Sequence, residues 1–153
     1  MIVRISDDYE IDVSYNYEKR FFDKKLKDFI KNKTILALSE LQNKEGLKLT
    51  ELSIFFCGDN KIKFFNKHHL NHDHETDIIT FEYRENRTKS AELVISTETV
   101  KSNSKIYNVN FRHELMRVII HGLLHVCGYK DKTMLTKRKM KQKENYYLKL
   151  LNI

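Results

Sequence analysis

The sequence of 153 residues contains no proline, no tryptophan, four glycines and two cysteines. With so few of these residues, most turns must be made by Asn and Asp, and no linker rich in flexible residues divides the chain. Cys57 and Cys127 stand far apart in apolar surroundings and form no CxxC pair, so we predict two reduced thiols. A chain of this length is expected to form one domain, here residues 1–153.

Long hydrophobic runs are also missing. No stretch approaches the roughly 20 uncharged residues that a membrane-spanning helix needs. The opening MIVRISDDYE lacks the basic and apolar regions of a signal peptide, so we expect a cytoplasmic protein. Hydrophobic types make up 41% and charged types 32% of the residues, a balance typical of globular domains.

Positive charge is in excess, with a formal net charge of +7. Seven basic residues against one acid lie between Lys130 and Lys143. Such a field attracts phosphate groups, which favours nucleic acid as a partner. Two interpretations stay open for this segment: a solvated face of a C-terminal helix, or a surface that contacts phosphates.

The apolar periodicity predicts an α+β fold, because an early helix, a few strands and late helices follow one another without a regular βαβ array. We place strands at 2–5, 50–57, 77–83 and 91–96, the last two as an antiparallel pair joined by the polar residues 84–90. We place helices at 17–43, around 62–70, at 110–127 and at 134–151.

Two histidines in the predicted helix 110–127 are candidate metal ligands. His121 and His125 are four residues apart, so both imidazoles can reach one ion. They stand in the apolar segment VIIHGLLHVCG, where an imidazole without a partner would be costly. His68 and His72 have the same spacing, but they and the adjacent Asp73 and His74 lie in a polar segment and are interpreted as surface residues.

Gly128 is expected to end this helix and to return Asp131 toward the two histidines. Three protein ligands with an open fourth position are typical of catalytic zinc, which makes a water acidic enough to react at neutral pH. The alternative stays open that His121 and His125 are hydrogen-bonded core residues and that Asp131 belongs to a turn.

The pattern HGLLHVCGYKD (121–131), with TDIITF (76–81) and AELVIS (91–96), resembles the YbeY family of single-strand-specific endoribonucleases and ribosomal RNA maturation factors. The resemblance implies an α+β zincin-like fold, in which helices pack a small mixed sheet around a central metal-site helix. It also implies a cytoplasmic hydrolase that acts on single-stranded RNA, in 3′-end maturation of 16S ribosomal RNA and in quality control of the small ribosomal subunit. One zinc ion is the cofactor typical of the family.

The chain departs from the family pattern at three places. The third ligand, usually histidine, falls on Asp131, whose oxygen can bind zinc but also favours harder metals, so the identity of the ion stays open. An arginine that many members of the family have aligns with Leu70 here. Phosphate binding must therefore come from another residue, with Lys67 and Arg84 as candidates. Ala91-Glu92 replaces the usual Gly-Asp and keeps the acid.

Further residues are assigned roles around this site. The segment from Thr76 to Phe81 is expected to line the cleft with backbone polar groups, with Thr76 and Asp77 as substrate contacts. Tyr129 either stacks on an unpaired base or packs at the helix end. Glu114 is one of the family's residues and lies too far along the helix to bind the same ion. It either pairs with Arg117 at i+3 behind the ligands or forms a plain surface ion pair.

Two rival functions use the same residues. A zinc peptidase of the HExxH type needs a glutamate after the first histidine, where this chain has Gly122. Glu92 or Asp77 would have to supply that base. A noncatalytic RNA- or ribosome-binding module would hold a structural ion, which usually takes four protein ligands, often including cysteine.

Overall fold

The computed structural model describes residues 1–7, 9–18, 22–70, 76–86 and 88–153, without the side chains of residues 69 and 70. The strands of these residues form one sheet in the order β1-β2-β3-β5-β4. The outer pairs β1/β2 and β4/β5 are antiparallel, and the inner pairs β2/β3 and β3/β5 are parallel. The strands are β1 Ile2–Ser6, β2 Tyr9–Tyr17, β3 Glu51–Cys57, β4 Ile78–Glu85 and β5 Thr88–Ser96.

Helices cover both faces of this mixed sheet. They are α1 Lys24–Glu45, α2 Asp59–Leu70, α3 Thr97–Ile106, α4 Phe111–Val126 and α5 Met134–Leu150. α4 contacts α1, α3, α5, β4 and β5, so it is the central helix of the main layer. The predicted α+β fold with a small mixed sheet and a central helix 110–127 is therefore confirmed.

Alternate residues of β5 divide the core. Leu93 and Ile95 belong to the main cluster with α1, α4 and α5, whereas Val94 packs with Ile62 of α2 in a second, smaller cluster. Successive side chains of a strand point to opposite faces, so the part of β5 that is buried on both faces has the continuous apolar sequence LVI at 93–95. The side chains at 78 and 80 of β4 lie on the α4 face, level with the candidate ligands.

Two parts of the predicted order were wrong. The early helix begins at Lys24, where Asp23 caps it by accepting a hydrogen bond from Leu26 N at 2.7 Å, and the residues up to Tyr17 form β2. In β2 only Ile11 and Val13 are buried, so its apolar alternation is too short to have indicated a strand. α3 was not predicted because it is mostly polar, with Thr97, Val100 and Ser104 as its buried residues.

The antiparallel pair 77–83 and 91–96 is confirmed, but the strands extend into the polar connection at 84–90. Asn86, with φ of 53°, takes the left-handed conformation at their turn. The polar histidines His72 and His74 and the adjacent Asp73 lie outside the described residues. No helix in the described part of the chain is long and apolar enough to cross a membrane.

Candidate metal centre and active-site cleft

α4 places the two candidate histidines one turn apart on the same side. His121 Nε2 lies 3.0 Å from His125 Nε2, and Asp131 Oδ2 lies 3.6 Å from each of them. Three ligand atoms, one from each residue, lie within 4.8 Å of one another. The structure therefore brings together the three residues of the HGLLHVCGYKD pattern, which we call the metal cluster.

These separations suit a single ion. Two ligand atoms at about 2.05 Å from a tetrahedral zinc are about 3.3 Å apart, close to the separations within the metal cluster. Two neutral imidazole nitrogens that face each other need a cation or a proton between them. The metal cluster could hold a divalent ion, and within the described residues it has three ligands and not four.

The other ring nitrogens of both histidines have partners that orient them. His121 Nδ1 lies 2.6 Å from Oε1 of Glu144, and His125 Nδ1 lies 2.9 Å from the carbonyl oxygen of Tyr129. Such partners fix the tautomer that directs Nε2 toward a metal. Burial, with a smaller contribution from the neighbouring His121, lowers the pKa of His125, which keeps its imidazole neutral near pH 7.

Sequence reasoning did not identify Glu144. It is buried in α5, 23 positions from His121, so no local spacing connects the two residues. One signal was available, because Glu144 is the only acidic residue in the lysine-rich α5. An acid in that position is easier to explain by a buried partner than by solvent.

Gly122, between the two ligands, allows α4 to lie against the sheet. A Cβ added there would lie 2.7 Å from Ile78 Cδ1 and 2.8 Å from Leu93 Cδ2. A glutamate at this position, as in an HExxH peptidase, has no space for its side chain. Glycine at this position is thus required by the packing of α4 against the sheet, and it also leaves the site without the catalytic base of an HExxH peptidase.

The segment after α4 is held by a cluster of hydrogen bonds around Glu45, at the end of α1. The Glu45 carboxylate accepts bonds from Tyr129 Oη at 2.8 Å, Lys143 Nζ at 2.6 Å and Tyr147 Oη at 2.7 Å. Burial alone would raise the pKa of Glu45, but these donors together hold it below its ordinary value. Tyr129 therefore joins α1 to the loop, and Lys139 and Lys143 lie over its ring.

Arg117 is surrounded by carboxylates. Its guanidinium pairs with Glu114 at 2.8 Å, with Asp77 at 3.1 Å and with Glu144 at 3.4 Å. Burial would lower the pKa of Arg117, but these acids raise it, so the side chain stays charged. Glu114 is 1% exposed and forms the expected i+3 pair with Arg117. Arg117 links α4 to β4 through Asp77, and through Glu144 to His121.

A cleft of about 670 Å³ opens beside the metal cluster along the edge strand β4. Residues 76–80 of the predicted segment line it, whereas Phe81 is not among its lining residues. Lys130 and Lys132, from the basic segment, bring positive charge to its wall. Asn66, Glu82 and Arg117 also line it, and sequence reasoning did not assign them to a cleft.

The two residues proposed to replace the family's arginine lie elsewhere. Lys67 is exposed on α2 and is not among the residues that line the cleft. Arg84 lines a neighbouring cavity of about 340 Å³ that also reaches His125 and Lys130. The aligned Leu70 has no described side chain.

The described carboxylates that could act as a peptidase base are either paired with a cation or lie away from the cleft. In the cleft, Asp77 pairs with Arg117, and Glu82 pairs with Lys89 at 3.1 Å. Glu92 lines a groove with Asp12 and Ser14, on the opposite face of the sheet. Cys127 is a free thiol outside the metal cluster, and burial raises its pKa to about 12.

The fold and the metal cluster define a class: α+β hydrolases that carry an HxxxH pair on a central helix and a third ligand on the segment after it. The family described as "Endoribonuclease YbeY" matches residues 12–152, and the chain belongs to this family. The resemblance seen in the sequence is thereby confirmed, and the chain is a hydrolase of the endoribonuclease type.

Curated relatives match most of the chain. An endoribonuclease YbeY of Phocaeicola vulgatus is 40% identical over 84% of this chain and 94% of its own. One from Flavobacterium psychrophilum is 38% identical over 92% and 97%. The solution structure of TM1509 from Thermotoga maritima superposes with a TM-score of 0.61 at 23% identity, over 91% of this chain and 88% of that one, which supports the fold.

Proposed function

We propose that the protein is a metal-dependent endoribonuclease that cleaves single-stranded RNA in the cytoplasm, during 3′-end maturation of 16S ribosomal RNA and in quality control of the small ribosomal subunit. Membership of the YbeY family and the names of its relatives support the endoribonuclease activity. The observation that carries the proposal is the metal cluster, which lies at the wall of a cleft that also carries Lys130 and Lys132.

The proposed cofactor is one divalent ion, with zinc as the first candidate, held by His121, His125 and Asp131. Such an ion would act as a Lewis acid on a phosphate oxygen and would acidify a water. Two neutral imidazoles and one carboxylate leave about one positive charge on the site, which favours a bound phosphodiester.

The protein's own side chains would bind and orient the RNA. Lys130 and Lys132 are placed to contact phosphates in the cleft and to offset negative charge that develops during cleavage. Thr76 and Thr80 offer hydroxyl groups along β4. Glu144 fixes the ring of His121, and Arg117 offsets part of the negative charge of the acids behind the metal cluster, which reduces their repulsion of the substrate.

The alternatives of the same site are less well supported. A zinc peptidase would need a free base, but Asp77 and Glu82 are paired and Gly122 cannot be replaced by an acid without a clash. A structural ion would be expected to have a fourth protein ligand, and the described residues supply three.

The test compares the wild type with the His121→Ala variant. Bound metal is measured in both, and both are incubated with single-stranded RNA, duplex RNA and an unfolded protein. We expect the wild type to contain one ion per chain and to cut single-stranded RNA, and the variant to lose both properties. RNA cleavage that persists in the variant would indicate a contaminating nuclease, and proteolysis by the wild type alone would favour the peptidase.

A further inference from the structure

A second cavity of about 680 Å³ lies on the other side of the metal cluster, between the α3–α4 turn and α5. His121, Asp131 and Arg117 line both this cavity and the cleft, so the candidate metal centre stands between the two spaces. The sequence assigned no role to Tyr107, Val109, Met140 or Asn145, which also line this cavity. Its volume falls within the roughly 300 to 1,000 Å³ typical of pockets for small ligands.

The walls of this cavity differ from those of the cleft. Tyr107, Val109 and Met140 give it an aromatic and apolar side, whereas threonines and charged groups dominate the cleft. Tyr107 is 61% exposed, so much of its ring is free for a ligand. Exposed aromatic rings are the groups on which unpaired bases stack, whatever their sequence.

The turn that carries Tyr107 is held by backbone hydrogen bonds. Tyr107 N donates to Asn103 O at 2.9 Å, and Val109 N donates to Ser104 O at 2.9 Å. Asn108 between them takes the left-handed conformation with φ of 53°, which asparagine tolerates well. These bonds hold the backbone of Tyr107 in place, so less conformational entropy of the turn is lost when a ligand binds.

Two lysines add positive charge at the same cavity. Lys137 and Lys141 are one turn apart on α5, both are exposed, and neither forms an ion pair with a described residue. The carboxylates of the cavity lie away from these lysines, since Glu114 and Glu144 pair with Arg117 and Asp131 belongs to the metal cluster. The two lysines therefore give the α5 side of the cavity positive charge, which suits a phosphodiester.

We propose that this cavity is a base pocket, which receives one unpaired nucleotide next to the cleaved phosphate of a single-stranded RNA. The base stacks on Tyr107, its edge reaches the amide of Asn145, and the following phosphate contacts Lys137 and Lys141. The rest of the strand continues through the cleft along β4. This inference rests on the proposed function for its substrate, but it concerns binding and can be tested without cleavage.

The first test measures binding of a short single-stranded RNA to chelator-treated protein by fluorescence anisotropy. Tyr107→Ala is expected to weaken binding about 5- to 150-fold, the range for loss of one stacked base, whereas Tyr107→Phe stays near the wild type. The control is Tyr83→Ala, because Tyr83 is 53% exposed and lines the groove on the opposite face of the sheet. Equal effects of Tyr107→Ala and Tyr83→Ala would overturn the base pocket.

The lysines are tested by the salt dependence of the same binding. The double variant Lys137→Ala/Lys141→Ala should reduce the slope of log K against log salt by about 1.4, the value for two single-strand phosphates. Lys101→Ala/Lys149→Ala removes the same charge from residues that line neither the cleft nor the base pocket. Equal slopes for the two double variants would contradict the assigned phosphate contacts.

A cleavage test separates the base pocket from the proposed function. One abasic site is moved along a substrate RNA, and kcat/KM is measured for the wild type and Tyr107→Ala. An abasic site at one fixed position relative to the cut should reduce kcat/KM of the wild type. The same abasic site should have little further effect in Tyr107→Ala. If the effects of the abasic site and of Tyr107→Ala are additive at every position, the base pocket is wrong and the proposed function stands. If the wild type cuts no RNA, the proposed function is wrong, and the binding tests still decide the base pocket. If Tyr107→Ala weakens binding of an extended peptide but not of RNA, the cavity is a peptide site and the proposal is wrong.

Discussion

At the residue scale, the site depends on which atoms of each ligand face the cleft. The Nδ1 atoms of His121 and His125 are used by Glu144 and by the Tyr129 carbonyl, and this leaves both Nε2 atoms toward Asp131. The HxxxH spacing and the family resemblance pointed to these three residues. Glu144 could not be predicted, because it lies 23 positions from His121, and the Tyr129 carbonyl, four residues from His125, has no side-chain signal.

Asp131 supplies the ligand that departs from the family pattern, so its replacement tests the assignment. Asp131→Ala should lose most of the bound ion, whereas Asp131→His restores a third ligand and should retain it. Metal content after dialysis, measured by mass spectrometry of the metal, checks this. Asp77→Ala is the control, because Asp77 lines the same cleft and is not in the metal cluster. Full metal content in Asp131→Ala would exclude Asp131 as a ligand.

Glu144 should influence metal affinity without touching the ion. Glu144→Gln weakens the partner of His121 Nδ1 and is expected to reduce affinity for the ion about 10- to 100-fold, the usual effect of losing such a partner. Competition with a chelator measures this affinity. Glu82→Gln serves as a comparison, since Glu82 is a cleft carboxylate that pairs with Lys89 and not with a histidine. Unchanged affinity in Glu144→Gln would show that Glu144 serves only the ion pair with Arg117.

At the scale of elements, the sequence predicted most accurately the helices and strands whose positions are set by hydrophobic burial. β3 and α4 have clear apolar patterns, and the structure places them, as well as α5, where they were expected. β2 and α3 were missed because each has few buried residues and its position is set by neighbours. The Asn66 side chain, buried at the cleft by the packing of α2, gave no local signal either.

Gly122 determines how closely α4 approaches the sheet. Gly122→Ala would bring a methyl group against Ile78 and Leu93, and we expect a net loss of about 1 to 2 kcal/mol in the free energy of unfolding, after the gain in helix propensity. Urea denaturation measures this loss. Adding Ile78→Val removes the closest atom, Cδ1, and should recover part of it. A single variant as stable as the wild type would mean that the neighbours shift without cost.

Glu45 fastens α1 to α5 and to the loop of the metal cluster, and it should do so in a pH-dependent way. Because its pKa is lower in the folded protein than its ordinary value of 4.5, its contribution is complete above pH 4.5 and is lost as the pH falls through the folded pKa. Glu45→Gln should cost about 1 to 3 kcal/mol at pH 7 and less in acid.

Urea denaturation at several pH values, for the wild type and Glu45→Gln, measures this difference. Glu40→Gln is the matched control, because Glu40 lies on the same helix in an exposed pair with Lys44. A difference between wild type and Glu45→Gln that stays constant down to acid pH would rule out Glu45 as the titrating group.

At the scale of the whole molecule, the net charge of +7 indicated a polyanion as partner, but the sequence could not show which lysines are free. In the folded protein the lysines of the basic segment have different partners and positions. Lys143 is used by Glu45, Lys139 lies over Tyr129, and Lys130, Lys132, Lys137 and Lys141 stand at the two cavities. The pairing of charges is a long-range property, and only the tertiary structure reveals it.

The two cavities that meet at His121 and Asp131 also bear on the topology of the substrates that the enzyme can accept. A polynucleotide laid across them leaves on both sides, so neither terminus has to be threaded or recognised. A covalently closed RNA circle without secondary structure should therefore be linearised about as fast as an open strand of the same sequence, which gel electrophoresis resolves. Resistance of the circle would mean that one side of the passage is blocked and that degradation starts from a free end.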